Sequence, residues 1–134
     1  MPIVGIGTDI IEISRIADMS DHTRNRLAKR ILTLNEYQYF CSININTKNV
    51  KLDKGVRYLA KRWAGKEAAA KALGTGIAKG VSFQNIEIIT LKSGQPTLIF
   101  SGKALVIAQE KKSKYWHISL ADEKHHATAF VIIS

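Results

Sequence analysis

Two acidic residues stand where the surrounding sequence does not favour a charge. Asp9 interrupts an isoleucine-rich run typical of a β-strand, where aspartate is disfavoured. Glu67 lies in an alanine-rich segment, and a helical wheel with Leu59 at zero places it at about 80°, on the edge of the apolar face. A half-buried carboxylate is costly unless a cation compensates it. The two acids would therefore suit magnesium, which needs only one or two carboxylates when phosphates and water complete its shell.

Both acids also have ordinary structural interpretations. Glu67 and Lys71 are spaced i,i+4, and such a pair stabilises a helix by about 0.2–0.5 kcal/mol without any chemistry. Asp9 would equally serve to cap or turn the chain before Ser14. The residue pattern alone leaves these alternatives open.

Glycines close to these acids invite comparison with phosphate-binding loops, but their order is wrong. Gly74-Thr75-Gly76 follows its helix, whereas a P-loop precedes one and offers its amide groups to the phosphate. The run from Gly5 fails as a dinucleotide fingerprint because Ile10 stands where the third glycine is required. A phosphate beside residues 74–76 would need Lys66, Lys71 or a metal ion to neutralise it.

The charge balance narrows the choice of partner without deciding it. Among 134 residues, 20 Lys and Arg face 11 Asp and Glu, for a formal net charge of +9. Such a field attracts nucleic acid, an anionic membrane, an acidic protein or a phosphate-rich small molecule. A basic nucleic-acid-binding module is the main alternative function, but it leaves Asp9 and Glu67 unexplained and the chain carries no RNP, helix-turn-helix or zinc-finger pattern.

Length and composition predict a single domain over residues 1–134. No apolar run approaches the roughly 18 residues that a membrane span requires, so we expect no membrane insertion. The first residues lack the layout of a signal peptide, and the single Cys41 suits a reducing compartment. We therefore expect a cytoplasmic protein.

The elements that must position the acids predict an α+β fold. A long central helix over residues 56–73 would pack against an antiparallel sheet and shorter helices. The other predicted elements are strands over 2–13, 86–91, 97–100, 116–121 and 127–133, helices from Arg15 after a Ser14 cap, over 24–32, from Thr33 and over 102–112, and a polar loop over 42–55. The Thr33–Glu36 stretch has the capping-box pattern, and Gly5 and Gly7 predict a close approach to the first strand.

Two blocks of the chain resemble the paired signatures of the holo-acyl-carrier-protein synthase family, the small class of 4′-phosphopantetheinyl transferases. They are GIGTDIIEISRI over 5–16 and RWAGKEAAAKALGTGI over 62–77. The closing HISLADEKHHATAFVII over 117–133 is similar to the last hairpin of that family, and LAKRILTLNEY over 27–37 also resembles it. The resemblance runs nearly end to end and implies the 4′-phosphopantetheinyl transferase fold.

The resemblance also implies a reaction: transfer of phosphopantetheine from coenzyme A to a serine of apo-acyl carrier protein, in fatty acid biosynthesis. By motif, Asp9 and Glu67 would bind magnesium with the coenzyme A pyrophosphate, and Lys71 would contact the phosphates as the third catalytic residue. The base for the serine stays open between a metal-polarised water, Asp9 and Glu67. The implied coenzyme site comprises Arg62, Lys66, Lys71, Gly74, Thr75, Gly76, His117 and Ser119. Many members carry Ser-His where this chain has Ala121-Asp122.

The partners implied by the resemblance account for the basic first helices, which would otherwise be a solvated face. An acidic acyl carrier protein would dock on Arg15, Met19, Arg26, Leu27 and Arg30. Complementary charge of this kind mainly raises the association rate and weakens with salt. The family forms homotrimers with pockets between subunits, which implies a homotrimer here. A catalytically silent homologue that acts as an assembly partner is a third alternative.

Overall fold

A computed structural model describes residues 2–44 and 54–134 of the chain. The described residues form five strands, β1 Gly5–Glu12, β2 Ile86–Thr90, β3 Pro96–Phe100, β4 Trp116–Asp122 and β5 His126–Ile133, and five α-helices, α1 Ser14–Ala17, α2 Asp21–Ile31, α3 Leu34–Ile43, α4 Lys54–Ala72 and α5 Gly102–Glu110. These elements confirm the predicted α+β class. Residues 45–53 of the predicted polar loop lie outside the described residues. None of the described helices is both long and apolar enough to cross a bilayer.

Two antiparallel sheets carry the strands, one of three strands in the order β1-β5-β4 and one of the β2-β3 pair. β1 and β4 are therefore opposite edges of the larger sheet. Asp9 pairs with Ala129, which pairs with Leu120, so these side chains share the face that packs on α4. The neighbouring row of Thr8, Phe130 and Ser119 points to the opposite face. The alternation thus separates Asp9 from His117 and Ser119 of β4.

The sheet lies directly on α4, backbone against backbone. A Cβ atom added to Gly7 would lie 1.8 Å from the Ala68 carbonyl oxygen, and one added to Gly5 would lie 2.0 Å from that of Ala72. The close approach predicted from these two glycines is confirmed, and the approaching group is the central helix. Alanines on α4 allow this contact because they add little bulk between helix and strand.

We expect Gly7→Ala to destabilise the protein by about 2–3 kcal/mol, because β1 must move away from α4 to admit the methyl group. Urea unfolding followed by circular dichroism measures the loss. Thr8→Ala, at an exposed position on the same strand, is the control and should change stability by no more than about 0.5 kcal/mol. Equal midpoints for Gly7→Ala and the original protein would contradict the close contact.

The capping box predicted at α3 is confirmed and does more than begin a helix. Thr33 accepts a hydrogen bond from the Glu36 amide, and Glu36 Oε1 accepts one from the Thr33 amide at 2.8 Å. Glu36 is 3% exposed, and its Oε2 accepts a hydrogen bond from the amide of Ile88 on β2 at 2.8 Å. One buried carboxylate therefore fastens α3 to the smaller sheet.

The starts of the first two helices differ from the prediction. Ser14 is the first residue of α1 rather than its cap, since Ile13 occupies the cap position without a side-chain hydrogen bond. α2 begins three residues earlier than predicted because the Ser20 hydroxyl accepts a hydrogen bond from the Thr23 amide at 3.2 Å. Ser20 thereby supplies the start signal that the apolar periodicity did not show.

Candidate active site

Asp9 and Glu67 approach each other where β1 lies on α4. The Asp9 side chain is 18% exposed, and its Oδ1 accepts a hydrogen bond from Lys71 Nζ at 3.0 Å. The same ammonium group donates to the Thr8 carbonyl oxygen, also at 3.0 Å. Lys71, one turn after Glu67 on α4, thus links the helix to the strand at this point. The structure brings the three predicted catalytic residues together.

The electrostatics of Glu67 reflect both its burial and its charged neighbours. Burial raises the pKa of the Glu67 carboxyl group above its ordinary value, and the negative charge of Asp9 raises it further. Lys71, a hydrogen bond to the Trp63 side chain and the charge of Arg30 oppose this rise in pKa without cancelling it. Two carboxylates with one lysine between them form a site that an additional cation would stabilise.

The donor set at this point fits magnesium held in part by its substrate. Asp9 and Glu67 offer carboxylate oxygens, which a hard cation prefers. Within residues 2–44 and 54–134, no three His, Cys, Asp or Glu side chains lie together as a metal cage. A metal here would depend on water and phosphate oxygens for its remaining ligands, as magnesium commonly does.

Lys66, expected to line the coenzyme site, is instead a core residue. Its side chain is fully buried, and Nζ donates to Glu36 Oε1 at 2.5 Å, to the Ile31 carbonyl at 2.7 Å and to the Phe83 carbonyl at 3.2 Å. All three donors of the ammonium group are therefore taken by protein acceptors. A lysine held in this way does not reach a ligand, which corrects the sequence-based expectation.

Arg62 lies at a large cavity rather than beside Asp9 and Glu67. This cavity, which we call the α4–β2 cavity, has a volume of about 830 Å³. Its lining residues are Asn35, Glu36, Tyr39, Ile43, Lys54, Arg57, Tyr58, Lys61, Arg62, Glu87, Ile88, Ile89, Thr90, Gly94, Pro96 and Leu120. The Arg62 guanidinium carbon lies 4.4 Å from the Tyr58 ring centre, and Nη2 donates to Thr90 Oγ1 at 2.9 Å. Arg62 Nε is buried without a hydrogen-bond partner among the described residues.

The carboxylate pair and the α4–β2 cavity lie on different sides of α4. Arg62 precedes Glu67 by five residues, which places their side chains about 140° apart around the helix. Asp9 belongs to the β1 edge of the larger sheet, whereas Leu120 of the cavity belongs to the β4 edge. One chain thus carries two separate parts of the predicted site and does not bring them together.

The segment Gly74-Thr75-Gly76 follows the end of α4, and its amide groups donate hydrogen bonds to carbonyl oxygens of the last helical turn. The Gly74 amide donates to the Lys71 carbonyl at 2.9 Å, and those of Thr75 and Gly76 donate to the Ala70 carbonyl at 3.3 and 3.1 Å. Gly74 has a φ of +84°, the left-handed conformation that ends many helices. These amides are not free to cradle a phosphate, so any contact with a coenzyme must come from the surface of the turn.

His117 and Ser119 lie on the outer face of the sheet, away from α4. They are exposed and share that face with Phe130, Ile6 and Ile10, which are 45%, 58% and 62% exposed. Within one chain, the sheet separates His117 and Ser119 from both the carboxylates and the α4–β2 cavity. The outer face is markedly apolar for a surface in contact with water.

The predicted carrier-docking residues lie on α1, on α2 and, in the case of Met19, in the turn between the two helices. Arg15, Arg26 and Arg30 are exposed, and Met19 and Leu27 are partly exposed between them. Arg30 is close enough to Glu67 for its charge to lower the pKa of that carboxyl group. Arg30, one of the predicted docking residues, therefore lies close to the carboxylate pair.

Arg24, the other arginine of α2, has a structural role. Its guanidinium donates to the carbonyl oxygens of Ile16, Ala17 and Met19 at 3.1, 2.9 and 2.7 Å. These carbonyls lie at and just beyond the end of α1, and that of Ile16 also accepts a hydrogen bond from the Met19 amide at 3.2 Å. Arg24 thus fixes α1 against α2 and shapes the surface that carries Arg15.

Two features of the site were not found from the sequence. Trp63 lies one turn before Glu67, and the Arg15 guanidinium carbon is 5.2 Å from its ring centre. Asp122 Oδ2 accepts a hydrogen bond from Arg57 Nη1 at 2.8 Å, and its Oδ1 lies 3.2 Å from Lys61 Nζ. Burial raises the pKa of Asp122, but these two cations outweigh burial and hold it below its ordinary value. The i,i+4 spacing of Arg57 and Lys61 was the one local signal of a shared anion.

Known proteins match this chain over almost its whole length. A family model, the 4′-phosphopantetheinyl transferase superfamily, matches residues 5–131. The holo-[acyl-carrier-protein] synthase of Shewanella denitrificans is 52% identical over 134 residues, covering 99% of this chain and 98% of the relative. These matches give no support to the nucleic-acid-binding alternative.

Solved structures of two relatives have the same fold. The holo-[acyl-carrier-protein] synthase of Neisseria meningitidis has a TM-score of 0.83 and 39% identity, with 99% of each chain covered. The Bacillus anthracis enzyme of that name, in complex with CoA (3′,5′-ADP), has a TM-score of 0.75 and 35% identity, covering 98% of this chain and 96% of that one. Since sequence and fold agree over almost the entire length, the chain belongs to the 4′-phosphopantetheinyl transferase superfamily and, within it, to the holo-[acyl-carrier-protein] synthase family.

Proposed function

We propose that this protein is a magnesium-dependent holo-[acyl-carrier-protein] synthase that serves fatty acid biosynthesis in the cytoplasm. The meeting of Asp9, Glu67 and Lys71 across β1 and α4 is the observation that carries the proposal. The names of its relatives support the reaction, and the CoA complex of the Bacillus anthracis relative supports coenzyme A as the donor. The exposed thiol of Cys41 suits a reducing compartment.

In the proposed reaction, the hydroxyl oxygen of a carrier serine attacks the phosphorus that bears the pantetheine arm. The bond from that phosphorus to the bridging oxygen breaks, and adenosine 3′,5′-bisphosphate leaves. The serine proton passes to a base, for which Asp9, Glu67 or a bound water are the candidates. The nucleophile belongs to the partner, so the chain must mainly position the reactants and neutralise charge.

Asp9 and Glu67 would hold the magnesium ion, which when bound supplies positive charge to the pyrophosphate oxygens. Lys71, whose side chain is about half exposed, would hold Asp9 in place and present its ammonium group toward the leaving phosphate. Lys66 is left out of the proposed coenzyme site because its donors are used within the core. Gly74, Thr75 and Gly76 would border the coenzyme through the surface of their turn.

The nucleotide end of the coenzyme would bind in the α4–β2 cavity. Arg62 lines this cavity, its Nε is a buried donor that lacks an acceptor within the described residues, and Lys54 adds a further positive charge at the wall. A 3′-phosphate is a fitting acceptor for such groups. Because this cavity lies on the other side of α4 from Glu67, we propose that each complete site joins the cavity of one copy to the carboxylates of another.

A homotrimer would supply that arrangement, and the outer face of the sheet supports it. Strands β1 and β5 present Ile6, Ile10 and Phe130 to solvent there, and burial of such a face against other copies is favourable. The same contact would bring His117 and Ser119 from the outer face toward a neighbouring copy. A trimer would thus gather residues that a single chain keeps apart.

We expect Phe130→Lys to break this assembly, because it places a charge in the centre of the apolar face. Light scattering after size-exclusion chromatography should change from three chains to one at equal protein concentration. Val106→Lys, at an apolar α5 position of similar exposure (42% against 45%), is the control and should stay trimeric. A trimer that survives Phe130→Lys would contradict the proposed interface.

Acidic acyl carrier protein would dock on Arg15, Met19, Arg26, Leu27 and Arg30, next to the carboxylates. We expect Arg26→Glu to raise the KM for carrier protein about tenfold at low salt and to leave the KM for coenzyme A nearly unchanged. Lys114→Glu makes the same charge change away from α1 and α2 and should alter neither constant. Equal losses toward both substrates in Arg26→Glu would argue against a docking surface.

Mass spectrometry tests the proposed function as a whole. Apo-acyl carrier protein is incubated with this protein, coenzyme A and magnesium, with parallel reactions in which each component is left out. The expected result is a gain of one phosphopantetheine mass that requires all components and disappears with EDTA. Absence of the gain under all conditions would favour the catalytically silent homologue instead.

A further inference from the structure

Trp63 stands at the junction of three parts of the molecule. Its ring is partly buried and packs against both hydrophobic cores, the one beneath the sheet and the one beneath α2 and α3. It precedes Glu67 by one helical turn, so the two side chains lie about 40° apart on the same face of α4. Trp63 therefore packs on the cores on one side and adjoins the proposed metal ligand on the other.

Arg15 covers the remaining side of the indole. The guanidinium carbon lies 5.2 Å from the ring centre, within the range of a cation–π contact. Arg15 is exposed and belongs to the proposed carrier-docking surface. A guanidinium group can stack on an aromatic face while the donors at its edge still bind a carboxylate in bidentate fashion. An acidic partner can thus engage Arg15 without removing it from Trp63.

We propose that Trp63 is a positioning residue that couples carrier docking at Arg15 to the metal and coenzyme site at Glu67. A carrier carboxylate on Arg15 would order the guanidinium over the indole and so restrict the motion of Trp63. The indole N–H, which can only donate, would then hold the Glu67 carboxylate one turn further along. This inference rests on the proposed function, since it takes the carrier and the metal-bound coenzyme as the two ligands.

The coupling has a definite size and must act in both directions. A cation–π contact at an exposed site contributes about 0.5–1 kcal/mol, which corresponds to a change in affinity of about twofold to fivefold. By linkage, bound magnesium and coenzyme A must tighten carrier binding by the same factor by which the carrier tightens theirs.

The test measures carrier binding with and without magnesium and coenzyme A. The carrier has its acceptor serine replaced by alanine, so that no transfer occurs during the titration. We divide the dissociation constant for the carrier without magnesium and coenzyme A by the constant with both present. We expect this ratio to be about two to five for the original protein and about one for Trp63→Leu. Trp63→Phe keeps a ring but loses the N–H and should give an intermediate ratio. Arg15→Gln should also bring the ratio to about one, and combining it with Trp63→Leu should not change the ratio further.

Trp116→Phe supplies the matched control and an optical signal. It changes the other of the two tryptophans, which lies on β4 against Phe100, and should keep the ratio of the original protein. Trp63 is then the sole indole, and its emission should shift when the carrier alone is added. This readout does not require Trp63→Leu to fold.

Three results would overturn the coupling. They are a ratio of one in the original protein, an unchanged ratio in folded Trp63→Leu or Trp63→Phe, and a Trp63 emission that does not shift when the carrier is added to Trp116→Phe. Failure of the proposed function looks different, because the original protein would then transfer no phosphopantetheine to a reactive carrier. If the original protein transfers phosphopantetheine normally and any of these three results is found, only the proposed role of Trp63 is rejected and the proposed function stands.

Discussion

Glu67→Gln is expected to reduce phosphopantetheine transfer by about 10²–10³-fold at saturating coenzyme A and carrier protein. The amide keeps the shape of the carboxylate but removes one of the two negative charges that would hold magnesium against the pyrophosphate. Asp9 would remain as the sole carboxylate ligand, and Lys71 already occupies one of its oxygens at 3.0 Å. Initial rates over a wide range of magnesium concentration measure the loss.

The same change should leave the fold intact or stabilise it. Burial and the charge of Asp9 raise the pKa of Glu67, so its ionised form is less favourable in the folded protein than in the unfolded chain. At neutral pH, glutamine removes that penalty, and thermal unfolding should occur at an equal or higher temperature. Glu110→Gln, an exposed residue at the end of α5, is the control for rate and stability. Normal turnover of Glu67→Gln in saturating magnesium would refute the metal role.

Lys66→Met should destabilise the protein by about 3–5 kcal/mol, the usual cost of removing one partner from a buried ion pair. The change leaves the Glu36 carboxylate buried with only the amides of Thr33 and Ile88 as donors. It also leaves the carbonyl oxygens of Ile31 and Phe83 without the ammonium group that bonds them. Urea unfolding at pH 7 measures the loss.

Lys71→Met makes the same chemical change on the same helix at an exposed position and serves as the control. Its ion pair with Asp9 lies at the surface, so stability should fall by less than about 1 kcal/mol even though activity is lost. A small loss of stability in Lys66→Met, similar to that of Lys71→Met, would show that the buried pair contributes little.

The central helix shows how far the sequence alone could predict the site. The wheel that placed Glu67 at the edge of the apolar face was correct, because a position at that edge depends only on the local period of the helix. The same wheel puts Lys66, two turns after Leu59, within about 20° of the core direction. The motif resemblance nevertheless implies a coenzyme contact for its charge. Its partner Glu36 lies 30 residues away on another helix, and no local pattern reveals that pairing.

The other differences between the predicted site and the structure arise from pairing between strands that are far apart in the sequence. The pairing of β4 with β5 follows from a short turn and was predictable, whereas β1 joins β5 from the opposite end of the chain. Only this strand order shows that Asp9 and the α4–β2 cavity belong to opposite edges. The register of β4 on β5 shows that His117 and Ser119 face away from both. The motif resemblance gathers these residues into one site, but a single folded chain does not.

Because α4 carries Arg62 and Glu67 on different sides, each helix in the proposed ring is a wall shared by two neighbouring pockets. Two inactivating alleles, one altered at Arg62 and the other at Glu67, would each supply the half that the other lacks. Mixed rings made from both alleles would then contain some undamaged pockets. The gene would show interallelic complementation, a behaviour that a self-contained monomeric enzyme does not display.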